Sequence, residues 1–289
     1  VPGYDRHFAI CERLGIEMIP VAMNDDGPDL AAVEEHVTRD PAVKGIWCVP
    51  KYSNPTGAVY SDVVVDALAA LQTAASDFRI MWDNAYAFHH LGDGPANVKN
   101  ILEVCKAANC PERAILFGST SKITHAGSGV AVLAGSADTI ADAARKMSFA
   151  TIGPDKINQL RHVRYFSDLD GLKAQMDRHA ALIAPKFAAV EEALMRHLGG
   201  RGLADWTTPK GGYFVSLDVA DNCAAETVRL AGEAGVKLTP AGATFPYGRD
   251  PRDRNIRLAP TMPSIDEIGY AMDVLCTCIE LASARKAGS

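Results

Sequence analysis

Short, almost wholly apolar runs alternate along this chain with longer stretches of helical periodicity. The runs predict strands at Glu17–Val21, Gly45–Val49, Arg79–Asp83, Ala114–Gly118 and Gly129–Ala134. The last four carry few polar residues, the pattern expected of parallel strands buried on both faces. Helical spacing covers Leu30–Asp40 and Ser61–Phe78 between them. Strands and helices in alternation predict a wound α/β sheet.

A longer helical stretch runs from about Leu172 to Leu198, with Leu172, Met176, Ile183, Phe187, Val190 and Leu194 at helical spacing. Pro185 lies inside it and is expected to kink it or break it in two, since proline removes a donor and crowds the preceding turn. Gly199 and Gly200 end it. Beyond them the pattern becomes a smaller α+β unit, with strands at Gly212–Asp218 and Asn255–Ala259 and a helix at Ala224–Ala234. Ser264 then caps a last helix, and Glu267 three residues on completes a capping box. The expected organisation is a large domain over residues 1–178 and a small C-terminal domain over 179–289.

Composition narrows the function classes. With 289 residues and 48% hydrophobic content, the chain has material for one or two domains around a large core. A net charge of -6 argues against nucleic acid or an anionic membrane as the main partner. No apolar run reaches the length of a bilayer span. Seven cysteines are scattered without metal-ligand spacing, and Cys276 and Cys278 stand too close together for the usual clamp. They read as buried free thiols of a reducing cytoplasm, and no metal is expected.

The candidate chemistry sits just beyond predicted strand ends, where open α/β sheets bind ligands. Lys122 follows a buried strand in Ser119-Thr120-Ser121-Lys122. Its amine is a nucleophile, and serine hydroxyls beside a helix start, with backbone N–H groups, suit a phosphate. Asp83 ends an apolar strand, where a carboxylate is costly to bury without a cationic partner. Arg257, in Asn255-Ile256-Arg257, is an arginine on an apolar strand, and its planar fork matches a carboxylate. Asn54-Pro55-Thr56-Gly57 forms a tight turn that aims Asn54. Each has a plainer reading alone: a solvated lysine, an aspartate capping a turn, an edge-strand arginine. Their order and spacing favour the chemistry.

In that order the motifs resemble the active-site ladder of the fold-type I pyridoxal-phosphate-dependent aminotransferases (class I/II). The resemblance covers essentially the whole chain from Tyr4 onward. It implies a three-layer α/β/α fold with a mostly parallel sheet, plus a smaller C-terminal α+β domain. Pyridoxal 5'-phosphate is the implied cofactor, with Lys122 forming the internal aldimine and later moving the substrate α-proton. Asp83 would pair with the ring nitrogen, and Tyr86 and Asn54 with the ring hydroxyl. Tyr4 would stack on the ring, and His7 would support Asp83. Ser119 and Ser121 would contact the phosphate, and Arg257, with Asn54 beside it, would grip the substrate α-carboxylate. Gly211-Gly212-Tyr213-Phe214 resembles the glycine-rich turn that opens the small-domain strand.

One departure stands out. The family usually carries a phosphate-binding arginine shortly after the lysine, and here Ile123 to Gly129 contains none. Ser119, Ser121, His125 and Ser128 are the residues available to replace it. The variant resembles a bacterial aspartate aminotransferase group related to MocR-type domains. The expected activity moves an amino group from an α-amino acid, aspartate, to a 2-oxo acid, 2-oxoglutarate, in a cytoplasmic homodimer. Lys51, Lys156, Arg161 and Arg164 are the cations open to a distal carboxylate. A lyase or decarboxylase on the same scaffold and a non-enzymatic cofactor-sensing domain are the alternatives. The resemblance further implies that an N-terminal part of the family fold precedes Val1, including a strand between Glu17–Val21 and Gly45–Val49.

Overall fold

The computed structural model describes residues 1–92 and 94–288. It opens with α1 (Asp5–Arg13), a two-residue hairpin of β1 (Met23–Asn24) and β2 (Gly27–Pro28), and α2 (Leu30–Arg39). Then come β3 (Gly45–Cys48), α3 (Asp62–Ala70), β4 (Arg79–Asp83), α4 (Ile101–Ala107), β5 (Ala114–Ser119) and β6 (Ala131–Ala134). Three helices follow: α5 (Ala137–Ala150), α6 (Lys156–Phe166) and α7 (Leu169–Leu198). The chain ends with β7 (Ala204–Trp206), β8 (Val215–Val219), α8 (Ala224–Glu233), β9 (Asn255–Leu258) and α9 (Ile265–Ala287).

The central sheet runs β3-β4-β5-β6, with β3, β4 and β5 parallel and β6 antiparallel to β5. The class is α/β with a mostly parallel sheet, as the pattern predicts. Side chains alternate across β4: Ile80 and Trp82 are buried among Val65, Leu68 and Cys105, while Asp83 is partly exposed. That alternation follows from the two-residue period of a strand. The covering helices are capped by side chains, Asp29 on α2 and Ser61 on α3. A second core gathers Leu194, Leu198, Leu217, Ile256, Leu275 and Ile279 from α7, α9 and the antiparallel sheet β7-β8-β9.

Four expectations need correction. Glu17–Val21 is not a strand; Val21 accepts a bond from the Val1 amine and joins no ladder. β3 is therefore the edge of its sheet, and no gap opens between two strands there. The last predicted strand forms as β6, but it is antiparallel and largely exposed, so its apolar run does not mean burial on both faces. The helix expected over Ser61–Phe78 ends at Ala70, where Gln72 bonds the Ala70 carbonyl and the chain turns toward β4. Pro185 does not break α7, which runs unbroken for 30 residues. One lost backbone bond is outweighed there by the burial of Met176 ahead of the proline and of Phe187, Val190 and Leu194 after it. At the other end of the chain, Ser264 and Glu267 form the expected capping box on α9.

Candidate active site

Asp83 ends β4 on the face away from Trp82. Its Oδ2 lies 3.0 Å from His7 Nε2, and His7 is the one buried residue of α1. His7 is held in turn by Trp47 of β3, stacked at 4.0 Å between ring centroids, and by the edge of Tyr4 at 5.0 Å. The structure thus brings Tyr4, His7 and Asp83 together.

Lys122 lies in the turn between β5 and β6, with its amine 5.1 Å from the centroid of the Tyr86 ring. Burial lowers the pKa of that amine, and the negative charge of Asp83 works in the opposite direction. Burial also raises the Tyr86 phenol well above its ordinary value, with Tyr4, Asp83 and Tyr213 adding to the rise and Arg257 opposing it. Tyr86 therefore keeps its proton at neutral pH and can donate a hydrogen bond. No helix begins at Ser121, contrary to expectation. The Ser119 hydroxyl bonds Ser121 Oγ at 2.8 Å and accepts the Ser121 N–H at 3.1 Å, which closes a turn instead.

Arg257 stands on β9 with its side chain 10% exposed. Its Nη1 donates to Asp5 Oδ1 at 3.1 Å and to Asn54 Oδ1 at 3.3 Å, and its Nε is buried without a partner. The Phe214 ring lies under the guanidinium, 4.9 Å from its carbon. Two residues earlier on the strand, Asn255 is buried; it donates to Ser216 and Asp218 and accepts from the Thr244 hydroxyl. It braces the strand that carries Arg257.

Two cavities, of about 480 and 500 Å³, lie beside this cluster rather than on it. Lys51 lines the first with Trp82 and Leu116, and its amine is bonded to the Ala87 carbonyl at 2.8 Å. Arg161 and Arg164 line the second with His125 and Ser128; Lys156, at the start of α6, lines neither. Among the described residues no group of acidic, histidine or cysteine side chains is arranged to hold a metal, and no helix is long and apolar enough to cross a membrane. Sequence reasoning missed Asp5, Trp47 and His89. Nothing in their local sequence marks them, because the site groups they meet, Arg257, His7 and Lys122, lie at least 33 residues away. The sequence marks Tyr213 only as part of a glycine-rich turn.

The chain matches the family model of aspartate amino-transferases over residues 1–289. It belongs to that family. It is 50% identical to an aspartate aminotransferase of Corynebacterium glutamicum, over 99% of this chain and 66% of the relative. A Mycolicibacterium smegmatis protein named as an aminotransferase is 55% identical over 98% of this chain and 66% of its own length. The chain thus spans about two thirds of these relatives. Among solved structures, a Corynebacterium glutamicum aspartate transaminase superposes with a TM-score of 0.97 at 50% identity, covering 99% of this chain and 67% of that one. An α-aminoadipate aminotransferase of Thermus thermophilus, complexed with N-(5'-phosphopyridoxyl)-L-leucine, shares the fold at a TM-score of 0.84 and 22% identity, over 98% of this chain and 70% of its own.

Proposed function

We propose that this chain carries the site of a pyridoxal-phosphate aminotransferase that moves an amino group from aspartate to 2-oxoglutarate. The observation that carries the reading is the setting of Asp83: bonded by His7, and within electrostatic reach of the half-buried Lys122 amine. The donor set fits the cofactor at its ring end. Asp83 offers a fixed anion to a protonated ring nitrogen, Tyr86 and Asn54 offer polar groups to the ring hydroxyl, and Tyr4 offers an aromatic face. At the phosphate end Ser119 and Ser121 offer hydroxyls in a turn packed tightly against Gly129. A Cβ added at Gly129 would lie 2.2 Å from Ser121 Oγ. Bound there, pyridoxal phosphate would supply an aldehyde for amine capture and a ring that takes up electrons.

The chain's own residues divide the remaining work. Lys122 is the amine that binds the cofactor and the base that moves a proton at the substrate Cα, and burial favours its neutral form. Arg257 orients the substrate α-carboxylate. Its Nη1 is taken by Asp5 and Asn54, so the unpartnered Nε side is where the fork has hydrogen-bonding capacity left. A buried donor without a partner costs about 1–3 kcal/mol, which a bound carboxylate would relieve. The name of the Corynebacterium glutamicum relative supports aspartate as donor. For its distal carboxylate, Arg161 and Arg164 are favoured over Lys51, because Lys51 is already bonded. Seven unpaired thiols support a reducing, cytoplasmic setting.

A single-turnover assay with aspartate and no acceptor tests the reading. A transaminase releases one equivalent of oxaloacetate per site without ammonia or carbon dioxide. Release of either gas-forming product would favour the lyase or decarboxylase, and no turnover at all would favour the sensing domain.

A further inference from the structure

Lys122 lies in a turn, so no helix or sheet ladder holds its carbonyl. Two side chains do. His89 Nε2 lies 3.2 Å from that oxygen, and the Tyr213 hydroxyl donates to it at 2.7 Å. A carbonyl oxygen only accepts, so His89 carries its hydrogen on Nε2. Burial drops the His89 pKa to about 4 and raises that of Tyr213 to about 12, so both remain neutral donors near pH 7. The two rings meet edge to face at 5.1 Å between centroids, and Tyr86 packs on both, at 5.4 and 5.9 Å.

The segments bearing His89 and Tyr213 are themselves paired. Gly212 N donates to the His89 carbonyl at 2.7 Å, Leu91 N donates to the Lys210 carbonyl at 3.0 Å, and His90 bridges Gly211. Both glycines are required by this close approach. A Cβ at Gly211 would lie 2.5 Å from the His89 carbonyl and the Tyr52 ring, and Gly212 has φ +82°. Tyr213 is followed directly by Phe214, the residue under Arg257.

We infer that His89 and Tyr213 are positioning residues for Lys122, and that the Tyr213-Phe214 pair sets the Lys122 amine relative to the Arg257 fork. The inference rests on Lys122 being the cofactor lysine and Arg257 the carboxylate-binding arginine. One residue of the pair anchors the main chain of the first, and its neighbour supports the guanidinium of the second. The proton-moving group and the carboxylate-binding group are thereby registered through a single dipeptide at the mouth of β8. Removing the Tyr213 hydroxyl should let Lys122 drift while the Phe214 contact with Arg257 persists.

The test uses the loaded enzyme with Tyr213→Phe, His89→Leu and His89→Gln. Tyr213→Phe and His89→Leu should each lower kcat about tenfold, with the KM for the amino acid staying within twofold. They should also roughly halve the circular dichroism of the cofactor absorption band, since an achiral chromophore gains that signal from being held in one orientation. His89→Gln, whose amide N–H can reach the same carbonyl, should recover most of what His89→Leu loses. If His89→Leu does not fold, Tyr213→Phe decides alone, because it removes one oxygen. Wild-type kcat and dichroism in Tyr213→Phe would overturn the inference. So would equal losses in kcat and KM in all three variants with a lowered melting temperature. Borohydride trapping in each variant separates the two readings: a pyridoxyl group found away from Lys122 would defeat the functional reading first.

Discussion

Alanine at Asp83 would remove the acceptor of the His7 bond and the fixed anion at the same time. In the proposed site Asp83 would pair with the protonated ring nitrogen, and losing one partner of such a desolvated pair costs about 2–5 kcal/mol, so Asp83→Ala should lower kcat at least thirtyfold in steady-state kinetics. Arg257→Lys tests a different property. It keeps the charge but replaces a two-pronged fork with a point, so the KM for aspartate should rise about tenfold while the absorption of the bound cofactor is retained. Unchanged affinity would make Arg257 a structural arginine. His89 links the site to stability. Its folded pKa of about 4 lies below its ordinary 6.5, so the folded protein binds fewer protons than the unfolded one. The stability owed to neutral His89 is therefore complete above pH 6.5 and is lost as pH falls toward 4. At roughly 1.4 kcal/mol per pKa unit the loss is on the order of 3 kcal/mol. Urea melts of His89→Gln and the parent at pH 7 and pH 4.5 should converge at the lower pH; an equal difference at both would contradict this.

Individual elements differ in how much their local sequence decides. The Ser264 and Glu267 box on α9 is wholly local, and it forms as read. Ser264→Ala should cost about 1 kcal/mol, measured as a lower denaturation midpoint at unchanged slope. β3, β4 and β5 are legible as parallel strands for a similar reason, a short apolar run after a helix, but the burial expected on both faces fails at the edge strand β3, where only Cys48 is buried. β6 shows the limit of that reasoning. Its run is equally apolar, but direction and exposure depend on what lies beside it, which no local pattern records. The site divides in the same way. Asp83 and Arg257 stand out as candidates because each breaks an apolar context, and Lys122 because it closes a Ser-x-Ser-Lys motif after an apolar strand; Asp5 and His89 do not, because the Arg257 and Lys122 groups they meet are distant in the chain. The turn after β5 gives a sharper local test. Gly129→Ala would push a methyl group into Ser121, so it should displace the turn that carries Lys122 and weaken cofactor retention on dialysis, while α9 and the second core stay intact.

At the scale of the molecule, the described chain leaves large apolar side chains in solvent. Much of the exposed apolar surface lies between β6 and α6, at Val132, Phe149, Ile152 and Ile157. Large apolar side chains exposed along one segment mark an interaction site, and we propose a second copy of the chain as its occupant. Gel filtration with light scattering should show a homodimer; a fully active monomer would contradict it. The fold class and the order of the motifs were readable because both follow from periodicity and spacing. The edge position of β3 and the openness of this face were not, since they depend on neighbours the chain does not encode locally. The central claim is that Lys122 carries the cofactor, and the direct measurement is borohydride reduction of the pyridoxal-phosphate-loaded enzyme followed by peptide mapping. The account predicts a single pyridoxyl group on Lys122; a pyridoxyl group on Lys51 or Lys156, or on no lysine, would contradict it.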